Sequence, residues 1–417
     1  MPWKETSVMD ERMKFISRLL SGDKMAVLCR EFGISRVTGH KIWKRYKQNG
    51  ARGLYNRSKA PHKHPNQIPT EIEQLIIRLK KEKPKWGAPK IRELVKNRYP
   101  TIKLPAVSTV HCVLDRQGLV KKRRRRNKYR ASATYLSIPE AANDLWCVDF
   151  KGQYRVKSGS YCFPLTISDF VSRYIISCEA LSNTELNPCF AVFEEAFKEN
   201  GLPAAIRSDN GPPFASGNST WNLTRLSVWW IRLGIKLERI RPGNPQENGR
   251  HERMHRTLKL EATDKTIANL LQQQERFDDF RKEFNYERPH QAIEMKCPGD
   301  VYKKSKREYK GLEEISYPGY DKMLMITNCG RVCLDKQKVH ISRALANQPV
   351  GLKEVDDGIW QVDFMSYTLG FFDKGSDKFT PCEDPFGFNT EKMIIDYVDN
   401  HIINNYYCWD KELLKKT

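Results

Sequence analysis

The sequence predicts a multidomain chain in three textures: helix-turn-helix units first, an α/β core next, and a small, β-barrel-like domain last. Segment 1–120 consists of short helical patterns separated by tight glycine turns. At about Asp144 the composition shifts to runs rich in aromatic and β-branched residues, first in succession and then alternating with helical patterns. From about Tyr317 short strand patterns alternate with glycine turns. With 417 residues the chain can hold roughly two to four cores, so function can be divided among modules.

Seventy-two Lys and Arg against fifty Asp and Glu leave a formal charge of +22. That excess points to a polyanionic partner, nucleic acid ahead of an anionic membrane surface. The opening "MPWKETSVMDERMKF" has no apolar segment of a secretion signal, and no later run is long enough to span a bilayer. The expectation is a cytoplasmic protein without a membrane partner. Eleven scattered cysteines then read as thiols. Cys329 and Cys333, with three residues between them and no histidine pair nearby, read as strand cysteines rather than a zinc site.

In "DKMAVLCREFGISRVTGHKIWKRYKQNG" one helix starts at about Lys24, breaks at Gly33, and a second runs from its Ser35 cap to about Gln48. This is helix-turn-helix spacing, and residues 1–50 are assigned to such a domain. On the second helix Arg36, Thr38, His40, Lys41 and Lys44 supply side chains suited to a major groove, while Cys29 and Ile42 face the small core. The alternative is a helical hairpin with a solvated basic face. Gly39 inside the helix carries a propensity cost. Residues 51–69, rich in proline, glycine and polar residues, read as a linker. A second helix-turn-helix-like DNA-binding unit is expected over 70–120: a helix from Thr70 to Lys83, another opened by Pro89, and a third capped by Ser108 and stopped at Gly118. Eight of the ten residues in "KKRRRRNKYR" are basic, so segment 121–139, with Arg123, Arg124, Arg125 and Arg126, reads as a DNA-tracking arm.

Segment 140–305 begins with the strands "LWCVDFKGQYRV", "SYCFPLTISDF" and "SRYIISCEAL". A helix at about Glu185–Glu199, the strand "AAIRSD", a helix across "LSVWWIRLG", the strand "IKLERI" and a long helix from about Pro245 follow, which together suit a mixed sheet covered by helices. Segment 306–417 is assigned to the β-rich domain and its tail.

The candidate chemistry lies in carboxylates. In "RPGNPQENGRHERMHRTLKLE", Asn244, Pro245 and Glu247 fit a capping box, which gives Glu247 a structural task. Glu252 shares a helix face with Arg256 and Lys259, while His251, Met254 and Leu258 turn toward the sheet. The stretch "HERMH" is also the bare pattern of a zinc protease, but the extended motif is missing, because Leu258 and Glu261 occupy its places and nothing supports Glu275 as a third ligand. Asp209, in "IRSDNGPPF", ends a short apolar strand before an Asn-Gly turn. Asp149 lies inside an apolar strand, a costly position unless an ion pair or a cation compensates it. Three such acids could hold two divalent metals for in-line phosphoryl displacement. Asp169, in "TISDFVSRY", reads instead as a turn cap.

The segments "WCVDFKG", "SDNGPPF" and "RPGNPQENGRHERMHRTLKLE" resemble the catalytic core of the DDE insertion-sequence transposases, which are related to retroviral integrases. "YERPHQAIEMKCPGDVY" resembles the segment that closes that core, so the resemblance covers about 140–305, with P-Q-x-N-G-x-x-E as a specific motif. It implies a ribonuclease-H-like fold in which Asp149, Asp209 and Glu252 are catalytic and bind two magnesium or manganese ions, while Arg256 and Lys259 approach the DNA end. "HERMH" then is a catalytic glutamate flanked by histidines, with His255 in a packing or phosphate contact. Forty-two residues separate Asp209 from Glu252, more than is usual in the family, and the excess falls on "ASGNSTWNLTRLSVWW". Helix-turn-helix units stand where retroviral integrases carry a zinc module, which implies a bacterial mobile element and a place at the nucleoid. The implied activity is binding of the element's double-stranded DNA ends, cleavage to 3′ hydroxyls and joining to target DNA by a homodimer or larger homo-oligomer. The alternatives are a catalytically silent DNA-binding regulator and a nuclease that cuts without joining; retention of all three acids favours the enzyme.

Overall fold

A computed structural model describes residues 7–58, 67–120, 136–217, 219–263 and 267–386. The chain divides into two compact units, 1–72 and 73–417. The predicted basic arm with Arg123, Arg124, Arg125 and Arg126 lies outside the described residues.

The first unit contains α1 (Val8–Leu20), α2 (Met25–Glu31) and α3 (Arg36–Asn49). As the sequence predicts, Ser35 caps α3 by accepting the Thr38 N–H, 3.1 Å; α1 carries a capping box of Ser7 and Asp10 that the sequence reading did not name. Phe15, Ile16, Leu28, Cys29 and Leu54 make the core, with Ile42 packed against it. Gly39 is buried on α3 because a Cβ there would stand 2.5 Å from Cys29 Sγ and 3.0 Å from Met25 Sδ. Close helix contact thus outweighs helix propensity. Gly39→Val is expected to destabilise this unit by about 2 kcal/mol, quickening exchange of the α3 amides roughly thirtyfold in the full chain. Unchanged exchange would mean that the helices can part without cost.

Next come α4 (Thr70–Glu82), α5 (Ala88–Arg98) and α6 (Val107–Arg116), packed through residues such as Ile76, Leu79, Ile91, Val95, Val110 and Val113. Pro89 sits in the first turn of α5 as expected, and Gly118 follows α6 with φ +67°. The cap of α6 is Ala106, not Ser108: the helix starts two residues earlier and has no side-chain cap.

The core sheet contains β1 (Leu145–Phe150), β2 (Tyr154–Arg155), β3 (Tyr161–Asp169), β4 (Ile175–Leu181), β5 (Ala205–Ser208) and β6 (Lys236–Arg239). β1 lies between β3 and β5; β3 pairs antiparallel with β1 and β4, whereas β1, β5 and β6 run parallel. Around it are α7 (Leu186–Asn200), α8 (Arg225–Arg232), α9 (Gly249–Glu261), α10 (Leu270–Tyr286) and the short α11 (Pro298–Val301). The long helix predicted from Pro245 begins only at Gly249, after a 3-10 turn over Pro245–Asn248. The predicted capping box is not formed, since Glu247 instead accepts from the backbone N–H of Arg241, 2.8 Å, and its Nε, 2.6 Å. The α4–α5 connection is anchored on this core: Lys83 Nζ lies 2.9 Å from Glu283 and 3.3 Å from Glu287, and the Arg288 guanidinium stacks 5.3 Å from the buried Trp86 ring.

Behind the core stand β7 (Lys322–Met325), β8 (Arg331–Leu334), β9 (Gln337–His340), β10 (Pro349–Asp356), β11 (Ile359–Phe364), β12 (Tyr367–Asp373) and β13 (Lys378–Pro381). Five of them form an antiparallel sheet in the order β13-β12-β11-β10-β7, while β8 and β9 form a hairpin. The barrel expectation is corrected, because β7 and β13 are end strands and the described sheet does not close. The segment ahead of α8, where the sequence is longer than the family pattern, joins this domain to the core: Thr220 Oγ1 donates to Ile341 O, 2.6 Å, and Trp221 Nε1 to Cys382 O, 2.8 Å. One apolar cluster runs through both, from Trp146 and Trp230 to Val350 and Phe364.

Candidate active site

Asp149 lies near the C-terminal end of β1, opposite Thr166 of β3, and Cys147 lies opposite Ser168. That face is covered by α9. The Thr166 hydroxyl donates to the Asp149 carbonyl, 3.0 Å, and meets His251 Nε2 at 2.8 Å and His255 Nε2 at 2.6 Å. With its single proton committed, Thr166 can only accept from the two imidazoles, so both carry hydrogen on Nε2. The Nδ1 of His251 then accepts from Ser168 Oγ, 2.7 Å. The Nδ1 of His255 is a bare lone pair, buried without a hydrogen-bond partner and 3.5 Å from Asp149 Oδ2.

Two electron-rich atoms that close repel unless a proton or a cation stands between them. The 3.5 Å approach is not an ion pair, because burial, reinforced by His251 and Lys151, holds His255 well below the usual histidine range. Burial also brings His251 down to about 3. Asp149 is pushed up to about 7, chiefly by burial and then by the charges of Asp209 and Glu252. Asp209 is raised as well by burial, against the Gly211 N–H that donates to it at 3.2 Å. Asp149, Glu252 and His255 each offer an atom within 4.8 Å of the others, one neutral nitrogen and two carboxylate oxygens suited to a divalent cation. Asp209 stands outside that group while still acting on Asp149 through its charge.

Asp209 follows β5, and two residues before it Arg207 is buried against Glu238 of β6, 2.9 Å apart with side chains 3% and 5% exposed. Arg207 also donates to Ser137 O, 3.0 Å. The pair ties the two parallel strands below the acid. Glu238→Leu should cost about 3 kcal/mol, read as a lower denaturant midpoint, because it strands a buried guanidinium. An unchanged midpoint would show that Arg207 finds other acceptors.

The other predicted residues fall in distinct places. Arg256 and Lys259 are exposed on α9, one and two turns beyond the exposed Glu252. Arg36, Thr38, His40, Lys41 and Lys44 are exposed on α3. Asp169 caps a turn, accepting from Asn143 N at 2.7 Å and from Ser172 N and Oγ at 2.7 and 2.6 Å. Sequence reasoning missed Thr166, whose part depends on the β1–β3 register.

Residues 11–62 match a family described as a helix-turn-helix domain, and residues 38–114 one described as a homeodomain-like domain. Residues 139–245 and 233–298 match two families that are each described as an integrase core domain. The chain is similar to an uncharacterized protein of insertion element IS407 from Burkholderia multivorans, 24% identical over 182 residues, which are 43% of this chain and 63% of the relative. It is also similar to an uncharacterized protein of insertion element IS476 from Xanthomonas euvesicatoria, 22% identical over 235 residues, 54% of this chain and 64% of the relative. The integrase-core and helix-turn-helix matches and the insertion-element relatives together support the resemblance to the DDE insertion-sequence transposases. The chain thus combines helix-turn-helix domains with an integrase core whose mixed sheet and helices suit the ribonuclease-H-like fold. The Gag-Pol polyprotein of Koala retrovirus is 34% identical over 116 residues, 27% of this chain and 6% of the polyprotein. The chain spans less than two thirds of the length of the two insertion-element relatives. No described helix is long and apolar enough to cross a membrane.

Proposed function

We propose that the chain binds the ends of its mobile element, cleaves the DNA to give 3′ hydroxyls and joins these to target DNA. The observation that carries this reading is the convergence of Asp149, Glu252 and the unpartnered His255 Nδ1 where α9 crosses the end of β1, with Asp209 close enough to raise the Asp149 carboxyl. Asp149, Asp209 and Glu252 are the catalytic acids and would hold two magnesium or manganese ions, with His255 as an additional nitrogen donor. Such ions lower the pKa of the attacking oxygen and neutralise charge on the phosphoryl group.

The chain's own residues position the DNA. Arg256 and Lys259 carry positive charge along α9 away from Glu252, where backbone phosphates of a terminal strand would lie. The exposed Arg36, Thr38, His40, Lys41 and Lys44 of α3 read the element's end, and Arg123 to Arg126 track the backbone. In cleavage, water attacks phosphorus and a 3′ oxygen leaves with a proton; in joining, that 3′ hydroxyl attacks a target phosphorus and displaces the target's own 3′ oxygen. Neither step needs a covalent protein intermediate. Both ends must be held at once, which calls for at least a homodimer.

The test is strand transfer by the purified full chain, with magnesium or manganese and duplex oligonucleotides copied from DNA flanking its gene. Joined products that vanish with a chelator support the reading. Sequence-specific binding without cutting or joining would establish a regulator instead, and cutting without joining a nuclease.

A further inference from the structure

On the side of His251 away from Asp149 lies a cavity of about 110 Å³, lined by α5, the middle of β1 at Cys147, the end of β3, α9, and α10 with the segment after it. Beside His251, six further nitrogen-bearing side chains line it: Lys90, Arg173, Arg250, Arg253, Arg288 and His290. Arg288 is held by Glu261 and by Glu283 at 3.7 Å. Among the described residues the other four cations have no carboxylate partner, and the one acid in the lining, Asp169, is occupied by Asn143 and Ser172. Arg250 donates only to the Phe170 carbonyl, 3.0 Å, and stacks 3.9 Å from that ring. Arg173 Nε, Arg288 Nε and His290 Nε2 are buried without hydrogen-bond partners, and Arg288 is only 5% exposed.

Like charges are not crowded into a cavity without a compensating anion, and a buried donor without an acceptor costs free energy. The crowding shows in the titrations: burial, then Arg288, brings the Lys90 amine down to about 8, and burial, then Lys90, Arg288 and Arg173, brings His290 to about 3. A single tetrahedral oxyanion suits the volume and can accept from several of these donors at once.

We propose that this cavity is a second anion site, separate from the carboxylate centre, that seats one backbone phosphate of bound DNA. Exposed Arg253 marks its mouth, one residue past Glu252, so the strand that reaches the catalytic acids is the one held. His251 is the shared wall, lining the cavity and hydrogen-bonding Thr166, whose hydroxyl meets the Asp149 carbonyl. The assignment of DNA as the source of the phosphate rests on the function proposed above; the anion site does not.

The experiment titrates the full chain with inorganic phosphate by calorimetry, then repeats the titration with a short duplex already bound. Wild type should bind phosphate, and Lys90→Met and Arg173→Gln should each weaken it about tenfold or more. Arg253→Gln, at an exposed position that cannot disturb folding, should weaken it as well. Bound duplex should abolish phosphate binding, and each variant should shallow the salt dependence of duplex affinity by about one charge. Equal phosphate affinity in wild type and all variants would overturn the site. Phosphate binding that persists with duplex bound would overturn the DNA assignment and leave a site for free phosphate. Strand joining plays no part in these readings, so its absence would count against the proposed function and not against the cavity.

Discussion

Glu252→Gln should lower strand joining by roughly a thousandfold or more while the protein stays folded and keeps its affinity for DNA. The side chain is exposed on α9 and forms no described hydrogen bond or ion pair, so its removal costs little stability. What it supplies is negative charge beside Asp149, felt in the raised Asp149 carboxyl, and an oxygen in the same cluster as His255 Nδ1. Glutamine keeps the shape and loses the charge that a divalent cation needs. Glu247→Gln is the matched control, five residues earlier in the same motif. Its carboxylate is 5% exposed and committed to Arg241, so that variant should lose stability and spare chemistry. Joining at wild-type rate in Glu252→Gln, or its loss only in Glu247→Gln, would reverse the assignment of the two glutamates.

The parts of this molecule legible in the sequence are those where one residue answers to one local rule. Ser35 and Pro89 mark helix starts by backbone chemistry alone, and Asp149 declares itself as a carboxylate inside an apolar strand. Features that depend on what comes opposite were hidden. Gly39 reads as a weak point in a helix until α2 and its Cys29 are laid against it. Glu247 satisfies the spacing of a capping box, yet Arg241 offers a charged donor as well as an N–H and wins it. The strands behind the core have barrel-like alternation, but closure depends on whether end strands meet, which no local pattern encodes. His255 is the instructive case at the site. Its place one turn from His251 suggested a protease, and its neighbours a DNA-facing helix, whereas the register of Asp149 against Thr166 decides that its Nε2 is used and its Nδ1 is free.

The pH dependence of stability offers the other large effect. Asp149 has a carboxyl raised from 3.8 to about 7 in the folded chain, so between those values the folded protein holds a proton that the unfolded chain has released. Stability from this group is therefore complete below about 4 and is lost as pH rises through 7, on the order of 4 kcal/mol in all. His251, His255 and His290 act in the opposite sense. Their folded values lie far below the ordinary 6.5, so their contribution is present above 6.5 and fades as pH falls toward 3. The wild-type curve mixes the two, and the comparison with Asp149→Asn separates them, because the histidines are common to both proteins. In metal-free buffer the Asn variant should gain on wild type steadily from pH 4 to pH 7 and then hold its lead, measured as the difference in denaturation midpoints. A divalent cation held by Asp149 and His255 would supply the positive charge that the proton supplies in its absence. Magnesium should accordingly close the gap above pH 6 by stabilising wild type and leave the variant where it was. A difference curve flat from pH 4 to 7 would mean that Asp149 is already ionised there and that the carboxylate cluster is relieved by solvent; a magnesium effect equal in both proteins would place the cation elsewhere.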